Sequence, residues 1–515
     1  MSKANIVFKP YQFNPQMLLP PSFDELIDKN HPVRVVQQII SEIKIDRLID
    51  QYKGGGTSSY HPRMLLSAIV FAYLSNTYSS RKIEAALKEN IHYMWLTGMS
   101  TPDHNTINRF RSSKLKKEIK EIFAQVVTLL VKEELVSIEE VYTDGTKIEA
   151  NANKYTFVWG KAIKTQKEKI AKQLEELWNY SQQVAVEELK DTAPIDFKNI
   201  DAAKVKAVAE QIDEALKSKQ VEKKTRDQIK KAKTDFVARM EKYEQQEAIL
   251  GNRNSYSKTD PDATFMRMKE DHMRNGQLKA GYNLQASSCP GKKIFCVNYS
   301  LHQKPTDTTT LIPHINQYQQ LFGKYPQSIT ADAGYGSHEN YQFLQDNHIE
   351  GYVKYNTFDQ EQKRKASYAK GFKSDELYYN KEQDCYYCPM GQRMPYISTS
   401  TRTTENGYTQ QIKKYQAQNC NGCPLRSVCH QSKYNRTIEV NHQLIQLKNK
   451  ANENLKSEKG IEHRKKRCYT IEPVFACLKQ NKNFKRFMLR SLPKVEIEAG
   501  LCLIGFNLKQ KALLN

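Results

Sequence analysis

Three acidic residues, Asp144, Asp332 and Glu472, are the strongest candidates for chemistry in this chain. Asp144 follows a β-branched stretch, Asp332 follows Ile329 and precedes two glycines, and Glu472 precedes Pro473 at the expected start of a helix. Carboxylates at adjacent strand ends, joined by a third from a helix, can hold two divalent cations about 3.5–4 Å apart. Such Mg²⁺ or Mn²⁺ ions suit phosphodiester chemistry, because they activate an attacking water or hydroxyl and neutralise the leaving oxygen.

Each aspartate alone also fits an ordinary turn, since Asp-Gly is typical of hairpins and Asp-Ala-Gly of loops. The predicted order of elements separates the two interpretations. Residues 138–150 predict a strand that runs into a tight turn at Asp144-Gly145, and residues 307–323 predict a helix capped by Asp307 or Thr308. Further strands are predicted over 279–288, 292–302 and 350–356, and residues 327–337 predict a short strand that ends in a glycine loop. With a helix placed last, this order gives an α/β, ribonuclease-H-like mixed sheet with helices on both faces.

The composition divides the chain into an all-helical domain and an interrupted sheet. Helical periodicity, with stripes such as Ile170, Leu174 and Leu177, predicts a helical insertion, and a cluster of cysteines marks a second insertion. The predicted segments are a helical DNA-binding domain (1–135), the catalytic core's first part (138–160 and 257–357), the helical insertion (161–250), the cysteine-rich insertion (358–440) and the core's C-terminal helical part (441–515).

The charge balance indicates a polyanionic partner. Lys plus Arg number 79 against 57 Asp plus Glu, which gives a net charge of +22. Nucleic acid is favoured over an acidic membrane surface, because no basic amphipathic anchor is present. The N-terminal residues lack a signal-peptide pattern, and the longest apolar run, Met64 to Leu74, is too short to span a bilayer. These features predict a cytoplasmic protein without membrane attachment.

A short helix, a polar turn and a basic helix follow one another near residue 100. This outline is typical of a helix-turn-helix reader, in which Asn105, Asn108, Arg109 and Arg111 would be exposed for DNA. A plain helical bundle with a basic face explains the same pattern equally well.

Five of the ten cysteines fall between positions 385 and 429. They form Cys385-x₂-Cys388 and Cys420-x₂-Cys423, followed by Cys429. Two such knuckles fit a tetrahedral Zn²⁺ site better than unrelated buried thiols do, and knuckle geometry alone favours the first four cysteines.

Three stretches resemble the catalytic blocks of bacterial insertion-sequence DDE transposases: YTDGTKIEAN (142–151), SITADAGYGS (328–337) and IEPVFACLK (471–479). Together with the helical N-terminal domain and the cysteine-bearing insertion, they resemble the eleven-eighty-two group over most of the chain. The resemblance implies Asp144, Asp332 and Glu472 as the Mg²⁺-binding (or Mn²⁺-binding) catalytic triad. It also implies structural Zn²⁺ on Cys388, Cys420, Cys423 and Cys429, with Cys385 as the alternative ligand.

The resemblance further implies cleavage at insertion-sequence ends and strand transfer into target DNA. Lys479 keeps the family's spacing from Glu472, and Arg467 lies one position from the family's arginine, so both are expected to contact DNA phosphates. The alternative for EHRKKRC (462–468) is a solvated basic surface. The expected partners are terminal inverted repeats and target DNA, bound by a nucleoid-associated homodimer. Two rival functions are a nuclease that cuts without joining and a catalytically inactive DNA-binding repressor.

Overall fold

The computed structural model describes residues 22–52, 58–189, 194–268, 278–363, 372–404 and 406–514. Parts of the predicted segments 1–135, 161–250, 257–357, 358–440 and 441–515 therefore lie outside the described residues.

The N-terminal region is helical. His61 accepts a hydrogen bond from the Arg63 backbone at the start of α4, and Asp103 accepts one from Thr106 at the start of α7, so both helices begin at side-chain caps. The helices are α1 (Phe23–Leu26), α2 (Pro32–Glu42), α3 (Asp46–Ile49), α4 (Pro62–Leu74), α5 (Ser80–Glu89), α6 (Ile91–Thr97), α7 (His104–Ser113) and α8 (Ile119–Lys132), with a 3₁₀ turn at Lys114–Lys116.

A long strand and a group of helices come next along the chain. Within the group, α11 continues into α12 through a π-helical segment, Ala232–Phe236. The elements are β1 (Glu140–Glu149), β2 (Phe157–Trp159), α9 (Gly160–Val184), α10 (Ala202–Leu216), α11 (Lys223–Lys231) and α12 (Val237–Leu250).

The strands and helices predicted between 279 and 356 are confirmed with small changes at their ends. The structure adds two short strands before them. The elements are β3 (Ser255–Ser257), β4 (Thr264–Arg267), β5 (Leu278–Cys289), β6 (Phe295–His302), α13 (Leu311–Phe322), β7 (Ser328–Ala331), α14 (His338–Asp346), β8 (Glu350–Val353) and α15 (Phe358–Lys363).

The cysteine-rich region contains a second sheet, and four helices complete the described chain. The sheet has the order β13-β12-β11-β10-β9. The elements are β9 (Tyr379–Asn380), β10 (Cys385–Tyr387), β11 (Arg393–Thr403), β12 (Thr409–Gln416), α16 (Arg426–Cys429), β13 (Thr437–Val440), α17 (His442–Lys456), α18 (Glu458–Thr470), α19 (Glu472–Ala476) and α20 (Leu492–Ala512), with a π-helical segment at Cys477–Asn481.

The main sheet is mixed. Strand β5 pairs antiparallel with β1 and, on its other edge, with β4 and β6, while β1, β7 and β8 run parallel to one another. The carboxyl ends of parallel β1, β7 and β8 therefore point the same way, as ligand-binding edges of α/β sheets do.

One hydrophobic core joins the N-terminal helices to this sheet. Helix α20 is buried along most of its length, and a Cβ on Gly505 would lie 2.9 Å from the Leu74 backbone nitrogen, so α20 and α4 pack closely. The helices α9–α12 and the second sheet have separate cores. Within the described ranges, no helix is long and apolar enough to cross a membrane.

Candidate active site

Asp144 lies inside strand β1, and the predicted turn at Asp144-Gly145 is wrong. The strand continues to Glu149, and Asp144 pairs with Ala286 of β5. Gly145 is required here by close approach, because a Cβ at this position would lie 2.3 Å from the Gln285 Nε2 atom. The glycine thus leaves room for side chains that cross over β1 beside Asp144, which is itself 7% exposed.

Asp332 follows the last residue of β7, as predicted. Its carboxylate Oδ1 atom accepts a hydrogen bond from the Gly334 backbone at 2.9 Å, which fixes the side chain at the start of a 3₁₀ turn. Strands β1 and β7 pair in parallel with Tyr142 opposite Thr330. Asp144 and Asp332 are each two residues further on, so the two carboxylates lie at the same level of neighbouring chain segments.

Glu472 begins helix α19, as its position before Pro473 predicts. The side chain is 54% exposed, and its Oε1 atom lies 3.8 Å from the Arg467 Nη2 atom. The Nη1 atom of Arg467 lies 3.5 Å from the Asp144 Oδ2 atom. A single guanidinium therefore lies between the first and third members of the predicted triad.

Helix α18 holds this guanidinium in place through His463, one turn before Arg467. The His463 Nδ1 atom is 2.8 Å from the Tyr142 hydroxyl, and its ring stacks on Tyr352 with centroids 4.3 Å apart. Burial lowers the pKa of His463, which favours the neutral imidazole. The contacts tie α18 to β1 and β8, and residues four apart share a helix face, so Arg467 faces the sheet.

The side chains around Asp144 and Asp332 fit a divalent cation by chemistry, since carboxylate oxygens are the ligands that Mg²⁺ prefers. A point above Gly334, where a Cβ would be, is 3.0 Å from Asp332 Oδ1 and 3.6 Å from Asp307 Oδ2. Across the residues that the structure describes, no group of three or more His, Cys, Asp or Glu side chains is close enough to hold a metal ion. The positive charge of Arg467 lies beside Asp144 and Glu472 in this arrangement.

Two residues near this site were missed by the sequence analysis. Asp307 was predicted as a helix cap, but α13 begins at Leu311 with Thr310 at the N-cap position, and the Asp307 carboxylate turns toward the sheet. Tyr335 is fully buried, and its hydroxyl donates a hydrogen bond to the Gln285 Oε1 atom. Asp307 follows a strand by five residues, and no local pattern separates a sheet-facing aspartate from a capping one.

The predicted DNA contacts differ in exposure. Asn105, Asn108 and Arg109 are exposed on α7, as expected. The expectation for Arg111 is wrong, because Arg111 is 3% exposed. Lys479 was also expected to face DNA, but it is 8% exposed and lies in the π-helical segment, so the surface does not present it.

Arg111 is buried near the carboxylate of Glu498, to which it is connected through Tyr73. Its Nη1 atom donates to the Tyr73 hydroxyl at 3.1 Å and to the Tyr78 carbonyl at 2.6 Å. The Tyr73 hydroxyl in turn donates to Glu498 at 3.1 Å. Burial raises the pKa of Glu498, and the charge of Arg111 opposes that shift. This network links α7 and α4 to α20.

The cysteines separate into two environments. Cys388, Cys420, Cys423 and Cys429 line one cavity of about 270 Å³, whereas Cys385 lies in β10, fully buried and outside that cavity. Gly391 and Gly422 adopt left-handed backbone conformations, with φ of 74° and 71°, and so form the two knuckle turns.

His430 lines the same cavity and was missed by the sequence analysis. Its two ring nitrogens are buried, and no described residue gives either of them a hydrogen bond. Burial lowers the pKa of His430, and the positive charges of Arg426 and Arg436 lower it further. The set of four thiols and one imidazole has the donor chemistry of a zinc site, although the described side chains are not gathered at metal-binding distance.

Comparison with known families gives two matches on separate parts of the chain. Residues 387–512 match the family described as Transposase DDE domain, and residues 21–113 match the Transposase domain (DUF772). The first match includes Glu472, Arg467 and the cysteine cavity, and the second includes α1–α7. No curated protein matches the chain.

The matched domains and the mixed α/β architecture define a DNA-processing enzyme of the transposase class. The helical N-terminal region carries one transposase domain, and the C-terminal half carries the other. The two matches support a bacterial insertion-sequence DDE transposase, and of the three sequence blocks only IEPVFACLK (471–479) lies within a matched range. A protein of this family acts on DNA, and the family implies catalysis by divalent metal ions.

Proposed function

We propose that this transposase cuts DNA at insertion-sequence ends and joins the freed 3′ ends to target DNA, with Asp144, Asp332 and Glu472 as the metal-binding triad. The observation that carries the proposal is the parallel pairing of β1 with β7, which brings Asp144 and Asp332 to one level. Arg467 contacts both Asp144 and Glu472, which supports placing Glu472 in the same site as the two aspartates.

The sheet supports a ribonuclease-H-like core. Leaving aside the short β4, the order is β6-β5-β1-β7-β8, with β5 antiparallel to both neighbours and β1, β7 and β8 parallel. In this interpretation α9–α12 and the second sheet are insertions into the core. Their separate hydrophobic cores support that assignment.

Asp144, Asp332 and Glu472 would hold Mg²⁺ or Mn²⁺, which when bound lowers the pKa of the attacking water or 3′-hydroxyl and neutralises the leaving oxygen. Arg467, held by His463, supplies a fixed positive charge beside the carboxylates and a contact for an incoming phosphate. In-line displacement by water or by a DNA hydroxyl needs no covalent protein–DNA intermediate. No serine or tyrosine is therefore assigned as a nucleophile.

DNA binding is proposed for the exposed face of α7 and for the basic surface as a whole. Asn105, Asn108 and Arg109 offer donors and charge on one short helix. Neutralising many phosphates at once releases counterions, so binding should weaken steeply with salt. Arg467 and Lys479 remain proposed phosphate contacts, although Lys479 would need to become exposed. We propose a homodimer on DNA, because two element ends must be held during joining.

The cysteine cavity is proposed to hold a structural Zn²⁺. Its lining supports Cys388, Cys420, Cys423 and Cys429 as the ligands rather than a set with Cys385. His430 is an additional donor at the same cavity.

A joining assay tests the proposed function. The substrates are pre-cut element-end DNA with a free 3′-hydroxyl, taken from the inverted repeats that flank the gene, a circular target plasmid and Mg²⁺. We expect covalent products between the end and the plasmid. Nicking without joined products would overturn strand transfer and favour a nuclease, and DNA binding without any cleavage would favour a repressor.

A further inference from the structure

A fourth carboxylate, Asp307, faces the proposed catalytic triad from the loop between β6 and α13. Its Oδ1 atom accepts hydrogen bonds from Asn283 Nδ2 at 2.8 Å and from Gln285 Nε2 at 2.9 Å. Gln285 is itself held by the buried Tyr335 hydroxyl. Both donors bind the same oxygen atom, so they fix the carboxylate and leave Oδ2 directed away from them.

The loop that carries Asp307 is fastened to the loop that carries Asp332. The Thr308 hydroxyl donates to the Gly334 carbonyl at 2.9 Å. The buried Asn340 amide donates to the Thr308 carbonyl at 2.8 Å and to the Tyr335 carbonyl at 2.7 Å. Three hydrogen bonds therefore fix the distance between the two carboxylates.

Two glycines keep open the space that these carboxylates share. A Cβ on Gly145 would lie 2.7 Å from Asp307 Oδ1, so Asp307 reaches directly over the residue that follows Asp144. A Cβ on Gly334 would lie 3.0 Å from Asp332 Oδ1 and 3.6 Å from Asp307 Oδ2. The space above Gly334 is thus bordered by oxygen atoms of two different carboxylates.

The pKa of the buried Tyr335 hydroxyl is affected by the negative charges of the carboxylates around this space. Its pKa is raised first by burial and then by the charges of Asp307, Asp144 and Asp332, while Arg467 acts in the opposite direction. Like charges held this close destabilise one another unless a cation neutralises them. Fixed hydrogen bonds that hold a carboxylate in such a place indicate a binding role rather than a capping role.

We propose that Asp307 is a fourth carboxylate of the metal site and binds the divalent cation beside Asp332. The inference rests on the proposed function, since it adds a residue to the same site. Gln285 and Asn283 act as positioning residues, because they orient the Asp307 carboxylate without facing the shared space.

Mn²⁺ binding to the full-length protein tests this proposal independently of activity. Asp307→Asn removes the charge but keeps an oxygen that can accept both hydrogen bonds, so the loop should remain in place. We expect the Mn²⁺ dissociation constant, measured by electron paramagnetic resonance, to rise at least about 10-fold, as for other losses near metal ligands. Asp346→Asn, an exposed change of the same charge on α14, should leave Mn²⁺ affinity unchanged.

Gly334→Ala adds a second test that removes no ligand. Its φ is not left-handed, so the backbone tolerates alanine, but the new methyl group would enter the shared space. We expect weaker Mn²⁺ binding here as well. Unchanged Mn²⁺ affinity of Asp307→Asn, whatever its thermal stability, would overturn the proposal.

Asp144→Asn separates failure of this inference from failure of the proposed function. If Asp144→Asn weakens Mn²⁺ binding and Asp307→Asn does not, only the role of Asp307 is withdrawn. If neither variant changes Mn²⁺ binding, the metal site itself is wrong.

Discussion

The Arg467 Nη1 atom lies 3.5 Å from the Asp144 Oδ2 atom, although the two residues come from distant parts of the sequence. The same guanidinium contacts Glu472 at 3.8 Å. A positive charge beside metal-binding carboxylates has two opposite effects. It weakens cation binding by repulsion, and it stabilises the negative charge that develops on a reacting phosphate.

Replacing Arg467 should therefore change metal dependence and rate in opposite directions. We expect Arg467→Gln to reach its half-maximal cleavage rate at a lower Mg²⁺ concentration, while its maximal rate falls about 10²-fold. The measurement is a Mg²⁺ titration of cleavage. Lys465→Gln makes the same charge change at an exposed position of α18 and should leave both quantities unchanged. A role limited to holding α18 would lower the rate without shifting the Mg²⁺ titration.

If Asp144, Asp332 and Glu472 bind the metal together, isosteric replacement of each one should have the same effect on cleavage. Asp144→Asn, Asp332→Asn and Glu472→Gln should each lose at least about 10³-fold in cleavage rate, because a metal site contributes several kcal/mol of transition-state stabilisation. DNA affinity, measured by fluorescence anisotropy without divalent metal, should change little, since these residues bind the cation rather than phosphate. Full cleavage activity in any of the three variants would remove that residue from the triad.

Much of the site could be predicted because its residues lie in regular elements. A β-branched strand before Asp332 and a proline after Glu472 mark the ends of elements within a few residues of sequence. The predicted turn at Asp144 was wrong because Gly145 is needed for a different reason. It makes room for the side chains of Gln285 and Asp307, which approach from other parts of the chain. Local pattern cannot distinguish a turn glycine from one that makes room for a neighbour.

Long-range partners explain the other errors in the sequence analysis. The sequence pattern places Arg111 on a polar helix face. In the structure it lies in the core, where it donates a hydrogen bond to Tyr73 and its charge stabilises the buried Glu498 carboxylate. Asp307 stands before a helix, as a cap would, but two amides of β5 turn it to the sheet. In each case, the competing partner is a buried polar group that must be satisfied.

The neighbouring arginines of α7 should respond differently to removal. Arg109→Ala should weaken DNA binding, lower the salt dependence of log Kd by about one and leave the free energy of unfolding within about 0.5 kcal/mol. Arg111→Ala should lower the free energy of unfolding by about 1–3 kcal/mol, because it leaves buried partners unsatisfied. Anisotropy at several salt concentrations and urea denaturation measure the two effects. Equal loss of stability in both variants would contradict the difference in burial.

Zinc content should distinguish two cysteines of the same cluster. We expect about one zinc per chain in the purified protein, by the four-ligand rule. Cys423→Ser should lower this content, whereas Cys385→Ser, at a buried position outside the cavity, should keep it. Because structural zinc contributes about 10–16 kcal/mol in small zinc modules, a chelator should unfold the second sheet. Elemental analysis of all three proteins decides the ligand set, and equal zinc in the two variants would reject Cys423.

Acid should destabilise the protein through two histidines beside the catalytic sheet, the half-buried His302 and the fully buried His314. The Ser300 hydroxyl lies 2.7 Å from His302 Nε2 and 2.7 Å from His314 Nδ1. Burial lowers the pKa of His302 to about 4 and lowers that of His314 well below its ordinary value. Nearby Lys120 acts in the same direction on both, while Asp307 opposes the shift at His302.

Acid destabilises the folded state because the pKa of His302 is lower in the folded state than in the unfolded chain. In the unfolded chain a histidine gains its proton near pH 6.5, so the folded state loses stability as the pH falls from 6.5 toward 4. For His302 alone, the loss between pH 7 and pH 5 should be roughly 2 kcal/mol. The test is urea denaturation of the wild type and His302→Gln at both pH values. The variant should lose less stability on acidification than the wild type by that amount, whatever its stability at pH 7. Parallel losses in the two proteins would show that His302 titrates normally in the folded state.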